Sequence, residues 1–321
     1  MERVGYASLI LLAMMSSDVS LSSAGDEHVS LVDFATANGL SRSMQSTDFI
    51  SFCSDLRRFS FHAGSRKVLL DGIVLYMNGP AVYDSRWLVT RTDAESMLLP
   101  LLDGERRHRA TPPLTVVLDP GHGGMDSGAV GERDIHEKEL VLDIARCVRR
   151  RLRGCGAEVK LTRERDQAMT LSARGKQAKK WGADVFVSIH LNAAANSGAR
   201  GVESYVLPAA GYPSTSGGTN HEHSHAGNRY DQSSIRLASY VHKGMLAATG
   251  APDRGVRRAR YQVLREAPCP AVLVECGFVT NPNDAGNLVR RSYRESMARG
   301  IAEGVLTFIG RALKLPAIAA P

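Results

Sequence analysis

From Leu114 onward, short apolar runs alternate with longer stretches of helical periodicity, and this alternation constrains the fold more than any other feature. Strands joined through helices pair in parallel, because the crossover consumes a dozen or more residues. The expected class is therefore α/β, a largely parallel sheet flanked by helices. Val116-Val117-Leu118, Val159 to Leu161, Val185 to Ile189, Val202 to Leu207, Tyr261 to Leu264 and Ala271 to Val274 read as strands. Leu140, Val141, Ile144, Ala145, Val148 and Leu152 share one helical face, with Gly154 and Gly156 ending that helix. Leu171 to Trp181, about Ser233 to Thr249, and Ser292 to Leu313 read as further helices, and no internal repeat is visible.

The chain before Leu114 divides differently. Residues 28–102 read as a small α+β unit: a short helix carrying Leu31, Phe34, Ala35 and Leu40 and ending at Gly39, extended stretches at Phe59-Ser60-Phe61, Val68 to Leu70 and Ile73 to Tyr76, an Asn78-Gly79-Pro80 turn, a strand at Trp87 to Val89, and a closing helix from Ala94 to Leu102. Residues 103–113, charged and ending in Pro112-Pro113, have linker composition. Residues 114–310 form the larger domain and 311–321 a tail. At the start, Arg3 precedes an apolar core from Val4 to Met15 and small residues through Ala24, the order of a secretory signal over residues 1–24. That core is too short to span a bilayer of about 30 Å hydrocarbon thickness. The expectation is an exported protein of the periplasm or cell wall, with no stable membrane span.

Composition narrows the partners only loosely. Forty Lys and Arg against thirty-three Asp and Glu give a formal charge of +7, and cleavage after Ala24 removes one base and two acids. A basic balance suits nucleic acid, a membrane surface or an anionic wall polymer. No aromatic platform or recognition motif supports nucleic acid, and export argues against it. Five cysteines are too few for a disulfide framework, and their odd number leaves at least one unpaired within the chain. Cys147 and Cys155 flank the end of the first helix, Cys276 reads as a small core residue, and no Cys-His signature accompanies any of the five.

Three strand ends carry polar residues that a core does not need. Leu118-Asp119-Pro120-Gly121-His122-Gly123-Gly124 ends a strand in a glycine-rich turn. His122 there is either a loop residue or a ligand, and the P-loop and dinucleotide spacings are both absent. Ser188-Ile189-His190-Leu191-Asn192 places His190 where parallel sheets gather functional groups, as a ligand or a satisfied buried histidine. Val274-Glu275-Cys276 sets a carboxylate after an apolar strand, which is costly unless the group is paired, metal-bound or catalytic. Glu137 and Glu139, at the start of the first helix, complement its dipole, and Glu137 can also project toward the His122 loop. Two histidines and one carboxylate with an open position make a catalytic zinc set, although their wide spacing matches no short motif.

The segments Val116 to Gly124, Glu137-Lys138, Ala183 to Ala193 and Pro270 to Asn281, taken in order, closely resemble the zinc-dependent N-acetylmuramoyl-L-alanine amidases. Leu161-Thr162-Arg163, Asp166, Arg174, Arg254-Gly255-Val256 and Tyr261 to Arg265 fit the same pattern. The resemblance implies one zinc ion held by His122, Glu137 and His190, with Glu275 as the catalytic acid/base. It implies peptidoglycan as substrate, cut between N-acetylmuramic acid and L-alanine, and leaves room for an activator protein as partner. Asn192 and Arg265 are candidate substrate contacts, Arg265 toward a carboxylate of the stem peptide, and Asp119 a candidate support behind the ligands. Turn, packing or surface roles compete for all three. The alternatives are another zinc amidohydrolase or peptidase of wall peptides, or a non-catalytic wall-binding module. Residues 28–102 are similar, in a looser pattern, to the N-terminal module of copper amine oxidases.

One stretch departs from the family. Related cell-division amidases carry a regulatory helix between the equivalents of Leu207 and Ser233, whereas here the segment is polar, rich in Gly, Ser and Thr, and contains His221-Glu222-His223-Ser224-His225. Such a sequence is a poor helix before Ser233 and is expected to be a loop gating the cleft, its histidines metal-binding or merely exposed.

Overall fold

The computed structural model describes residues 27–102, 114–131, 134–219 and 223–313. The signal segment, the linker, His221, Glu222 and residues 314–321 lie outside them. The chain divides into two compact units, one around residues 27–102 and one around residues 114–313.

The first unit is built on antiparallel hairpins. Strands β1 (His28–Ser30), β7 (Val82–Asp84) and β8 (Arg86–Thr90) form one small sheet in the order β1-β8-β7. Strands β2 (Ser41–Gln45), β3 (Phe49–Cys53), β4 (Arg58–His62), β5 (Lys67–Leu70) and β6 (Ile73–Tyr76) follow one another as a meander, each paired antiparallel with the next. Helix α1 (Leu31–Ala37) is capped by Ser30, whose hydroxyl accepts from the Asp33 amide. Residues 91–102 form helix α2, with a π-helical turn at Ala94–Leu98. The Asn78-Gly79-Pro80 turn is fixed by Asp93, whose buried carboxylate accepts from the Asn78 amide (2.7 Å), the Asn78 side chain (2.9 Å), the Gly79 amide (2.8 Å) and the Thr90 hydroxyl (2.9 Å). Segments 209–213 and 217–219 cluster with this unit, and the Ala209 amide donates to Asn78 Oδ1.

In the second unit, strands β9 (Thr115–Pro120), β10 (Glu158–Leu161), β11 (Val185–Asn192), β12 (Val202–Val206), β13 (Asp253–Arg258) and β14 (Ala271–Phe278) take the order β10-β9-β11-β14-β12-β13. The first four positions are parallel. β12 then runs antiparallel to β14 and parallel to β13, so the last two strands are reversed as a pair. Helices α3 (Glu137–Arg153), α4 (Leu171–Lys180), α5 (Asp231–Thr249), α6 (Gln262–Arg265), α7 (Pro282–Leu288) and α8 (Arg291–Leu313) complete the layers. The expected α/β class is what forms.

Two local expectations need correction or comment. Tyr261 to Leu264 is not a strand: Tyr261 caps the short helix α6, which turns Val263 and Leu264 together into a core cluster with Phe186, Ala267 and Leu273. The strand is Asp253–Arg258, whose charged sequence hides it, because Arg258 is buried and donates from Nη1 to the Leu207 carbonyl (2.9 Å). Between Leu207 and Ser233 the described residues hold only a 3₁₀ turn at Ala226–Tyr230 before α5, in line with a segment too polar for a full helix. All five cysteines are free.

Candidate active site

Register places the polar strand residues on one face. His190 pairs with Glu275, Glu275 with Glu203, and Ser188 with Asp119, and directly paired residues project to the same side of a sheet. This face, at the carboxyl ends of β9, β11 and β14, is where a parallel sheet offers room for chemistry.

His122 follows β9 in a left-handed backbone conformation (φ 58°). Its loop is held by two buried arginines. Arg163 donates to the carbonyls of Pro120 (3.0 Å), Gly121 (2.7 Å) and Lys138 (2.7 Å). Arg174 donates to those of Pro120 (2.7 Å) and His122 (2.8 Å), and also to Asp119 (2.7 Å). With several carbonyls saturated by rigid forks, the unusual backbone at His122 is over-determined. Lys138 adds a third tie, bonded to the Gly124 carbonyl and to Asp166. Two glycines give the ligands room: a side chain at Gly121 would overlap the His190 ring, and one at Gly128 would overlap Glu137 and His122.

Glu137, the first residue of α3, brings its carboxylate between the two imidazoles. Oε2 lies 3.2 Å from His122 Nε2 and Oε1 lies 2.9 Å from His190 Nδ1. The backbone amides of Ala129 (2.8 Å) and Leu191 (2.9 Å) donate to the same two oxygens. Burial opposes charge on Glu137, but the hydrogen bonds and charges of His122 and His190 outweigh it and bring the carboxyl down to about 2. For His122, burial lowers the proton affinity and Glu137 and Asp126 raise it, with a net rise. Asp126 Oδ2 sits 2.8 Å from His122 Nδ1, an arrangement that orients the ring and commits that nitrogen. One donor atom each from His122, Glu137 and His190 lies within 4.8 Å of the other two. Charge, donor type and clustering all fit a divalent metal of the borderline class.

Glu275 stands beside this set with different electrostatics. It is buried, and its Oε2 has no hydrogen-bond partner among the described residues. Burial first, then the negative charges of Glu137 and Glu203, push its carboxyl well above the usual range, which raises its affinity for a proton.

Asn192 ends β11, and its amide donates to Glu203 Oε2 (2.9 Å). Asp119 lies fully buried behind the ligands, accepting from Thr162 (2.6 Å), Ser188 (2.8 Å) and Arg174. Arg265 lies at the last residue of α6, its Nε buried without a partner, and makes no described hydrogen bond or ion pair to the three metal-donor residues or Glu275.

The sequence reading passed over a second group. Glu203 accepts from Arg254 Nε (2.8 Å) and Arg257 Nη1 (2.7 Å) at one oxygen and from Asn192 and the Tyr205 hydroxyl (2.7 Å) at the other. Burial again opposes its charge, and the four donors prevail, lowering its carboxyl. The available signal was weak: Glu203 lies in the strand stretch Val202 to Leu207, where Ser204 and Tyr205 beside it make a carboxylate less conspicuous than at Glu275. Tyr261 packs edge-on against Tyr205, and its hydroxyl is pushed up to about 12 by burial and by Glu275. Ser204, His242 and Asp253 form a further chain (3.0 and 2.9 Å) in the order of a hydrolytic triad. Ser204 and His242 are fully buried, so this chain ties α5 to β12 and β13 and has no access to substrate.

A His/Glu/His metal-donor set at the strand ends of an α/β sheet, with a buried carboxyl of raised proton affinity beside it, has the parts of a metal-assisted hydrolase site. A profile of the N-acetylmuramoyl-L-alanine amidase family matches residues 116–307, more than half of the chain, and the chain belongs to that family. The sporulation-specific N-acetylmuramoyl-L-alanine amidase of Bacillus subtilis strain 168 is 37% identical over 192 residues, covering 59% of this chain and 66% of that protein. The amidase AmiA of Escherichia coli K12 is 35% identical over 217 residues, covering 60% and 75%. The match therefore spans just under two thirds of the Bacillus relative's length. Among solved structures, the catalytic domain of CwlV from Bacillus (Paenibacillus) polymyxa superposes with a TM-score of 0.52 at 35% identity, covering 61% of this chain and 98% of that one. The CwlD amidase of Clostridioides difficile, solved in complex with the GerS lipoprotein, gives 0.52 at 26% identity, covering 61% and 98%.

Proposed function

We propose that this chain is a zinc-dependent peptidoglycan hydrolase that cleaves the amide bond between N-acetylmuramic acid and the L-alanine of the stem peptide. The observation that carries this is the His122, Glu137 and His190 cluster with the buried Glu275 beside it, its Oε2 unpaired among the described residues, in a chain of the amidase family. Zinc held by the three donors would polarise the scissile carbonyl and lower the pKa of a water molecule. Glu137 supplies the one negative charge of the ligand set, and its two backbone amide bonds hold it in place. Asp126 fixes the His122 ring. Glu275, in its ionised form, would take a proton from the attacking water and return it to the departing amine, without which an amine is a very poor leaving group; a raised proton affinity suits it to both roles. Asn192 and Asp119 act through Glu203 and Arg174 and hold the walls of the site; Arg265 remains a candidate contact for the peptide.

Export by residues 1–24, residence in the periplasm or wall, and peptidoglycan as partner belong to the same reading. No helix among the described residues is long and apolar enough to cross a membrane. An activator protein is proposed by analogy with the CwlD–GerS complex. The 28–102 unit would serve as the accessory module, similar to that of copper amine oxidases, with 103–113 as linker and 311–321 as tail. Digestion of purified sacculi with mass spectrometry of the products tests the proposal, with Glu275→Gln alongside. Free peptides beginning with L-alanine are expected from the wild type and not from the variant. Cuts between stem residues would mean a peptidase, and no product at any zinc loading would mean a binding module.

A further inference from the structure

We propose that Arg254 is a built carboxylate receptor beside the cleft, and that it selects substrates whose peptide carries a free carboxylate close to the scissile amide. The proposal rests on the amidase reading for the nature of the substrate.

Arg254 is held at two of its features and left open at a third. Its Nε donates to Glu203 Oε1 (2.8 Å), which fixes the plane of the guanidinium. The face of that plane lies over the Phe278 ring, 4.9 Å from the centroid. The side chain is 33% exposed. Its two terminal amino groups have no partner among the described residues, and they form the edge that binds a carboxylate bidentately. A guanidinium serving only as a structural tie turns this edge inward. Arg257 shows the contrast, since it meets the same Glu203 oxygen through terminal Nη1 at 2.7 Å.

Glu203 cannot close over the open edge. Both its oxygens are already engaged, Oε2 by Asn192 and Tyr205. One carboxylate faces two guanidiniums, so the group keeps one positive charge. Its position is also informative. Glu203 pairs with Glu275, and Phe278 pairs with Asn192, each just past Glu275 and His190 on their strands. The open edge therefore stands at the strand ends that carry the ligand set, on the side of the reversed strands. Preorganisation of this kind lowers the ordering cost of binding, because neither the plane nor the face has to be fixed when the ligand arrives.

The test compares two muramoyl-peptides that differ only in the α-carboxyl of the second peptide residue, free in one and a carboxamide in the other. The zinc-loaded full chain is expected to prefer the free carboxylate by about tenfold in kcat/KM, expressed in KM and weakening as salt rises. Arg254→Gln is expected to bring the two substrates within about twofold by raising KM for the free form. Arg254→Lys, which keeps the charge and loses the fork, should retain only part of the preference. Equal efficiency on both substrates in the wild type overturns the proposal, and this comparison needs no variant to fold. So does a variant that slows both substrates equally, or a preference that survives Arg254→Gln and vanishes in Arg265→Gln. If neither substrate releases a peptide with a free alanine terminus, the amidase reading fails instead. Calorimetric titration of the two peptides themselves then still decides whether Arg254 distinguishes them.

Discussion

Glu275 and Glu203 face each other across adjacent strands, both buried, at 8% and 2% exposure, yet their surroundings shift their proton affinities in opposite directions. Glu203 sits on the reversed strands amid four donors and stays ionised. Glu275 sits on the last of the parallel strands with an Oε2 unpartnered among the described residues, and the negative charges of Glu137 and Glu203 add to burial in raising its proton affinity. Burial is common to both, so the supply of donors decides the direction of the shift.

Experiments can break this contrast at several points. The largest effect should come from removing the metal: chelation should abolish hydrolysis of sacculi, and stoichiometric zinc should restore it. Glu275→Gln should lower kcat/KM by about 10²–10⁴-fold with zinc content unchanged by elemental analysis, since Glu275 is not one of the three donors. The same variant should report the raised proton affinity. A carboxyl whose folded pKa lies above its unfolded value gives full stability below the unfolded pKa and loses it as pH rises toward the folded one. Zinc-free Glu275→Gln should therefore melt above the wild type at about pH 8, and the gap should close near pH 4 in calorimetry.

Loosening the His122 loop comes next. Arg174→Gln should weaken zinc binding by about 10–100-fold in competition with a chromophoric chelator, because the carbonyls that fix His122 lose their donor. Glu203→Gln should act on both sides of the contrast. It should lower the melting temperature, through the loss of two ion pairs, and move the acidic limb of kcat/KM to lower pH, since one negative neighbour of Glu275 disappears. The smallest effect should be that of Cys155→Ser, an exposed and unbonded thiol, with activity and melting unchanged within error.

How legible the site was in the sequence follows from the same physics. His122, His190 and Glu275 stand out because each ends an apolar strand where a polar residue has no packing reason to be. Glu137 is less visible, since an acidic residue at a helix start is ordinary. Glu203 is harder to see than Glu275, because Val202-Glu203-Ser204-Tyr205 mixes polar and apolar residues and does not mark one carboxylate as out of place. β13 was illegible for a related reason: Asp253-Arg254-Gly255-Val256-Arg257-Arg258 looks like a solvated loop until its charges are seen to be met by Glu203, His242 and the Leu207 carbonyl. In the first unit, Ser41–Gln45 is exposed along its whole length and gives no alternation to read.

The reversal of β12 and β13 has a consequence for how such a cleft can vary. Four strands deliver their tips to it, whereas these two deliver their beginnings, so Glu203 and Arg254 are the second residues of their strands. The connections that approach this side of the cleft are therefore the ones entering β12 and β13, around residues 193–201 and 250–252. Changes of length there would alter the surroundings of Glu203 and Arg254 while the loops bearing His122 and Glu137 stay as they are.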